Sequence, residues 1–189
     1  IVYDIEVTSN RPDSMSVLGI ARETAVILPR FGIEAVLRND PYRFNKKISF
    51  DGPKKLSIKT DSKLNPRWVS IVLDNVTVKQ SPKWLQKKLE LTGIRPLNTI
   101  VDVTNYFMRA YGQPAHAFDF DEIKGATMTL RASRKGEKPT TLDGKTHTLT
   151  GGDIVIVDGS GRLIDLAGIM GGQNSSIKES TKTIVLFMQ

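Results

Sequence analysis

LTGIRPLNTIVDVTNYFMRAYGQPAHAFDF, residues 91–120, holds the most regular helix pattern in the chain. Apolar positions Ile100, Val103, Thr104 (through its methyl), Phe107, Met108 and Tyr111 recur at the i, i+3, i+4, i+7 spacing that gathers them on one helix face. Asn98 stands where an N-cap accepts the first free backbone N–H groups, and Gly112 where a left-handed residue stops the helix. The opposite face carries Asp102, Asn105 and Arg109 and is expected to meet solvent. The chain then passes Gly112, Gln113 and Pro114 into His116-Ala117-Phe118-Asp119, expected as a turn. An amide and an imidazole delivered in this way are material for one wall of a polar site.

Upstream, a second helix is punctuated by Ser81 as N-cap, Pro82 at the first helical position and Gly93 past the end. Its Trp84, Leu85 and Leu89 are expected inside and its Lys83, Lys87 and Lys88 outside. Residues 68–78 read as one bent strand or a strand pair, and residues 55–60 as a short strand within a Pro- and Lys-rich junction. At the start, residues 1–8 alternate like a strand. Asn10-Arg11-Pro12-Asp13 reads as a turn, with Asp13 or Ser14 capping a helix that ends at Phe31-Gly32.

Downstream of Phe120 the pattern changes to short β-like runs at 127–132, 140–142, 146–149, 154–157, 163–166 and 183–188. Glycine-rich turn signals separate them, and Asp143-Gly144 is a hairpin cue. Closely spaced strands plus helices predict an α+β fold: helices packed on an antiparallel, sandwich- or barrel-like body. Three regions are expected: 1–38, a strand and helix; 39–66, a basic junction; and 67–189, the main body.

The composition is that of an ordinary folded domain, with 39% hydrophobic and 25% charged residues. No run approaches a membrane span, so no membrane partner is expected. The chain begins on Ile1 and stops at Gln189 inside an apolar run, and it is expected to be a piece of a longer protein. The absence of cysteine excludes disulfides and thiolate metal sites and fits a cytoplasmic setting. Between residues 38 and 88, thirteen Lys/Arg stand against four Asp, a net of +9 that leaves −2 for the rest of a chain carrying +7. Such a stretch is the footprint of a polyanion contact or a solvated basic surface. A phosphate-binding Gly-Lys-Ser/Thr loop, a nucleophile elbow and a dinucleotide fingerprint are all missing. With two histidines, His116 and His147, a two-His metal site is not indicated; His147 reads as structural.

GIRPLNTIVDVTNYFMRAYGQPAHAFDFD resembles the signature of the β subunit of bacterial phenylalanyl-tRNA synthetase. Glu6-Val7-Thr8-Ser9-Asn10-Arg11-Pro12-Asp13 and Leu166-Ala167-Gly168-Ile169-Met170-Gly171-Gly172 fit the same family in the same order. The resemblance implies a module that hydrolyses tyrosine mischarged onto the tRNA for phenylalanine. It implies catalytic roles for Asn105 and His116, and substrate contacts at Gly168, Gly171 and the position of Phe187. It also implies tRNA and a synthetase α subunit as partners. ATP and magnesium are implied for the full synthetase, with no cofactor and no metal in this portion. The family usually has a Glu where Phe187 stands, six residues after Thr181, and it meets the tyrosine hydroxyl there. A phenyl ring accepts no such hydrogen bond, and a Thr and an Ala of the family's pocket would fall beyond Gln189. Two expectations therefore stand: an editing esterase, or a non-catalytic structural and tRNA-contacting module.

Overall fold

In the computed structural model the described residues are 2–38, 49 and 52–189. Three α-helices and eight strands are built from them: α1 (Val17–Ile27), β1 (Ser57–Lys59), β2 (Val69–Leu73), α2 (Lys83–Leu91), α3 (Thr99–Tyr111), β3 (His116–Asp119), β4 (Thr127–Ala132), β5 (Ile154–Asp158), β6 (Leu163–Leu166), β7 (Met170–Gly171) and β8 (Ile184–Met188). One sheet has the order β1-β4-β5-β6-β7 and the other β2-β8-β3. All pairs are antiparallel except β1 with β4. The core forms between the two sheets, from Met128, Leu130, Ile156 and Ile164 on one and Phe118, Val185 and Phe187 on the other. Val155 and Leu166 bury the opposite face of the larger sheet with Leu149. This is the predicted α+β class.

Helix α3 has the predicted ends. The Asn98 side chain accepts from the N–H groups of Ile100 and Val101, and Gly112 closes the helix at φ 82°. Replacing Asn98 with Ala is expected to cost about 1 kcal/mol in urea unfolding, the usual loss for a side-chain cap. Its facing differs from expectation. Asp102 is fully buried, while Val103 is 53% exposed. The Asp102 carboxylate takes hydrogen bonds from the Ser81 hydroxyl at 2.5 Å and the Leu97 N–H at 2.8 Å. Those bonds compensate its desolvation, so a charged residue tolerates the inner side. Ser81 is thereby spent on Asp102, and Pro82 occupies the cap position of α2 instead. In α2, Leu85 and Leu89 are buried as expected, whereas Trp84 is 54% exposed and lies edge-on to Tyr106 at 5.7 Å.

Other departures have local causes. Residues 2–8 form no strand; among the described residues no strand lies beside them, and Val2, Tyr3 and Ile5 are exposed. A 3-10 turn at Pro12–Ser14 delays α1, so its cap is Ser16, which accepts from the Gly19 N–H at 2.9 Å. Asp13 instead binds Arg11, which also reaches Glu23. Strand β2 ends at Leu73, and Asn75 turns the chain at φ 55°. The Asp143-Gly144 turn exists, but its arms make a single bridge, Thr140 to Thr146, rather than two strands. His116–Asp119 is a strand, not a turn, because β8 supplies it with a complete antiparallel partner. Of the basic stretch, Arg43, Lys46 and Lys47 lie outside the described residues.

Candidate functional site

The site forms where the two sheets meet at the end of β3. On the smaller sheet His116 stands opposite Phe187, so both side chains leave the same face. The far end of β3 is pinned to the start of β8: the Thr181 hydroxyl donates to the Asp119 carboxylate at 2.6 Å, and Asp119 also accepts from the Asp121 N–H. On the larger sheet Asp165 of β6 stands opposite Gly171 of β7. The two edges enclose a cleft of about 320 Å³, lined among others by His116, Asp165, Gly168, Gly171 and Phe187.

Glycine fits closely at position 171. A Cβ there would overlap Nε2 of His116, lie 2.5 Å from its Cε1 and come within 3.3 Å of Leu142. The imidazole thus rests directly on the β7 backbone. Gly168 has φ 74°, a left-handed conformation that turns the chain between β6 and β7. A Cβ on it would meet the Gln189 side chain at 3.4 Å.

Two polar side chains of the cleft, His116 and Asp165, have no hydrogen-bond partner among the described residues, whereas Gln113 at its rim donates to the Pro114 and Gln189 carbonyls. Nε2 of His116 is enclosed and has no hydrogen-bond partner among the described residues. Its ring stands edge-on to Phe118 at 4.4 Å, and burial pulls its pKa down to about 4, so the imidazole is neutral at neutral pH. Asp165 is 5% exposed. Burial alone pushes its pKa up to about 7, with no charge or hydrogen-bond donor offsetting it. Phe187 forms an apolar wall, packed edge-on against Trp68 at 4.7 Å and Phe118 at 6.0 Å. An apolar wall, a close-approach glycine backbone, an imidazole nitrogen and a carboxyl group suit a small, mainly apolar ligand with a few directed polar contacts.

The structure therefore brings together His116, Gly168, Gly171 and Phe187. Asn105 is half-buried in the middle of α3 and does not line the cleft. Asp165 was not singled out from the sequence. The available signal was a lone acid between Ile164 and Leu166 in a strand that is otherwise apolar. His147 is exposed near the turn at Gly144 and lies 3.2 Å from the Thr141 hydroxyl.

A profile of the B3/4 domain matches residues 64–189. The chain is 44% identical over 191 residues to the phenylalanine–tRNA ligase β subunit of Latilactobacillus sakei, covering 98% of this chain and 22% of that protein. It is 41% identical over 190 residues to the β subunit of Clostridium acetobutylicum, covering 97% and 22%. The chain thus spans about a fifth of the length of the curated relatives it matches. Among solved structures, an N-terminal fragment of the phenylalanyl-tRNA synthetase β subunit from Pyrococcus horikoshii superposes with a TM-score of 0.51 at 17% identity. That match covers 94% of this chain and 52% of the other, and it shows a shared fold.

Proposed function

Because the chain belongs to the B3/4 domain family, we propose that it is the editing module of a phenylalanine–tRNA ligase β subunit. Its cleft hydrolyses tyrosine wrongly esterified to the tRNA for phenylalanine. The observation that carries this reading is convergence: four positions drawn from three separated stretches of sequence line one cleft. Its volume of about 320 Å³ lies within the roughly 300–1,000 Å³ range of small-ligand sites.

In the reaction, water attacks the ester carbonyl carbon, the bond from that carbon to the ribose oxygen breaks, and a proton ends on the ribose oxygen. A neutral imidazole with a pKa near 4 is a weak base at neutral pH. The role assigned to His116 is positional: its ring, held between the Gly171 backbone and Phe118, forms the wall that fixes where the ester lies, and much of the advantage comes from fixed geometry. ATP- and magnesium-dependent aminoacylation belongs to other segments and to an α subunit, in the cytoplasm.

Deacylation of tyrosine-charged tRNA by the full-length ligase tests the reading. The native enzyme clears the ester, and His116→Ala slows clearance by roughly 10²-fold, the loss a misplacement of about 1 Å causes. Equal rates in the two proteins would remove the role of His116. A second reading has its own support: Phe187 is 4% exposed and packs as a core residue against Trp68. In that reading the module is structural and contacts tRNA without hydrolysis, and the native enzyme is inert.

In both readings the basic stretch meets the tRNA backbone. Lys54, Lys55, Lys59, Lys63 and Arg67 lie within it among the described residues. Affinity for tRNA is expected to fall roughly tenfold or more between about 50 and about 200 mM salt, as released counterions require. A flat salt response in a filter-binding titration would contradict it.

A further inference from the structure

We propose that Asp165 reads the phenol hydroxyl of the misattached tyrosine, supplying from β6 the carboxyl acceptor that the family resemblance expects at the position of Phe187 on β8. The inference rests on the editing reading above and names the residue that gives the cleft its selectivity.

Geometry carries the argument. Asp165 and Gly171 are direct partners in the antiparallel β6–β7 pair. Residues so paired project from the same face, with Cβ positions about 4.5–5.5 Å apart. The direction in which Gly171 would project its Cβ leads straight to Nε2 of His116. Asp165 therefore enters the cleft from across the glycine, on the side His116 occupies, and both side chains line the same cleft as Phe187. Among the described residues Asp165 has no hydrogen-bond or ion-pair partner, and burial is the one cause that shifts its titration. A carboxyl group that is buried, unpartnered and directed into a cavity is costly unless something occupies the cavity.

The ligand chemistry follows from the walls. Phe187, flanked by Trp68 and Phe118, offers an aromatic surface with no acceptor. An aromatic ring with one hydroxyl donor satisfies both features: the ring packs on Phe187 and the hydroxyl meets Asp165. Phenylalanine in the same place would leave the carboxyl group desolvated and still unpaired. This is the asymmetry by which a site built for a hydroxyl rejects the analogue lacking it. The burial that raises the Asp165 pKa to about 7 is the signature of the same missing partner.

The test compares two esters and two amides on the full-length ligase. Tyrosine- and phenylalanine-charged tRNA for phenylalanine are presented to native enzyme, Asp165→Ala and Asp165→Asn. Binding of the non-hydrolysable 3′-amides of tyrosine and phenylalanine with 3′-aminoadenosine is measured alongside. The expected result is a roughly 10- to 100-fold loss for the tyrosyl ester and amide in Asp165→Ala, the range for a lost hydrogen bond to a charged acceptor. The phenylalanyl compounds should change little, and Asp165→Asn, which keeps a carbonyl acceptor, should fall between. If both esters slow equally, Asp165 acts at the ester or ammonium end, and the selectivity role is overturned while editing stands. If tyrosine selectivity survives in Asp165→Ala, the proposal is overturned with editing again intact. If the native enzyme cleaves neither ester and binds neither amide, the editing reading and the proposal for Asp165 fall together, and the structural reading stands.

Discussion

Lowering the pH from about 7 to about 4 is expected to destabilise Asp165→Asn by about 3 kcal/mol relative to the native chain, and to stabilise His116→Phe by a similar amount. The two groups titrate in opposite senses across one window. The folded-state pKa of His116 is depressed to about 4 from an ordinary 6.5, so the folded state binds fewer protons in between. Its contribution is complete above 6.5 and lost as the pH falls toward 4. The folded-state pKa of Asp165 is raised to about 7 from 3.8, so the folded state binds more protons in between. Its contribution is complete below 3.8 and lost as the pH rises toward 7. In the native chain the two slopes largely cancel; each single substitution exposes the other. Urea unfolding of the three proteins at both ends of the window measures the effect. Parallel profiles would mean that one or both groups are solvated, which would also weaken their roles in the cleft. Glu137, held down to about 2 by Arg131, gives a contribution that is complete above 4.5 and lost as the pH falls from there toward 2, mostly below this window.

Gly171→Ala is expected to cost about 1–3 kcal/mol, the usual penalty for an added methyl in a packed site. It should also abolish any hydrolysis that depends on His116. The added Cβ overlaps the imidazole, and the ring is held between the β7 backbone and Phe118. The clash is with one side chain, so it is separable. Truncating that side chain in His116→Ala/Gly171→Ala should recover most of the lost stability without recovering activity, giving a coupling of at least about 1 kcal/mol in a double-mutant cycle. Gly172→Ala is the control, since its Cβ would strike the Ile164 carbonyl of the backbone. Truncating His116 relieves nothing there. If His116→Ala rescued both glycine substitutions equally, the close approach of His116 to Gly171 would not be the cause.

Much of the architecture is legible in the sequence because it rests on local chemistry. The ends of α3 follow from Asn98 and Gly112, and β4 and β6 fall where short apolar runs sit between turn signals. Features set by distant partners are not legible. Residues His116–Asp119 become a strand because β8 lies beside them, and Asp102 turns inward because Ser81 and Leu97 reach it from before the helix. Residues 2–8 alternate like a strand and lack a partner strand among the described residues. The same limit applies to the cleft. Family resemblance points to His116, Gly168, Gly171 and Phe187, but no periodicity reveals that Asp165 faces Gly171 across two strands. That depends on the register of β6 against β7. What the sequence does offer is an acid in an apolar strand, and an acid buried without a partner is a mark of a site.

The claim that the cleft accepts the misattached amino acid is tested most directly by a crystal structure of the full-length ligase with the 3′-amide of tyrosine and 3′-aminoadenosine. The expected structure has the tyrosyl ring against Phe187, its hydroxyl on the Asp165 carboxyl group, and the amide carbonyl beside the His116 ring. Occupancy at another site, with the cleft between His116 and Asp165 empty, would contradict the account.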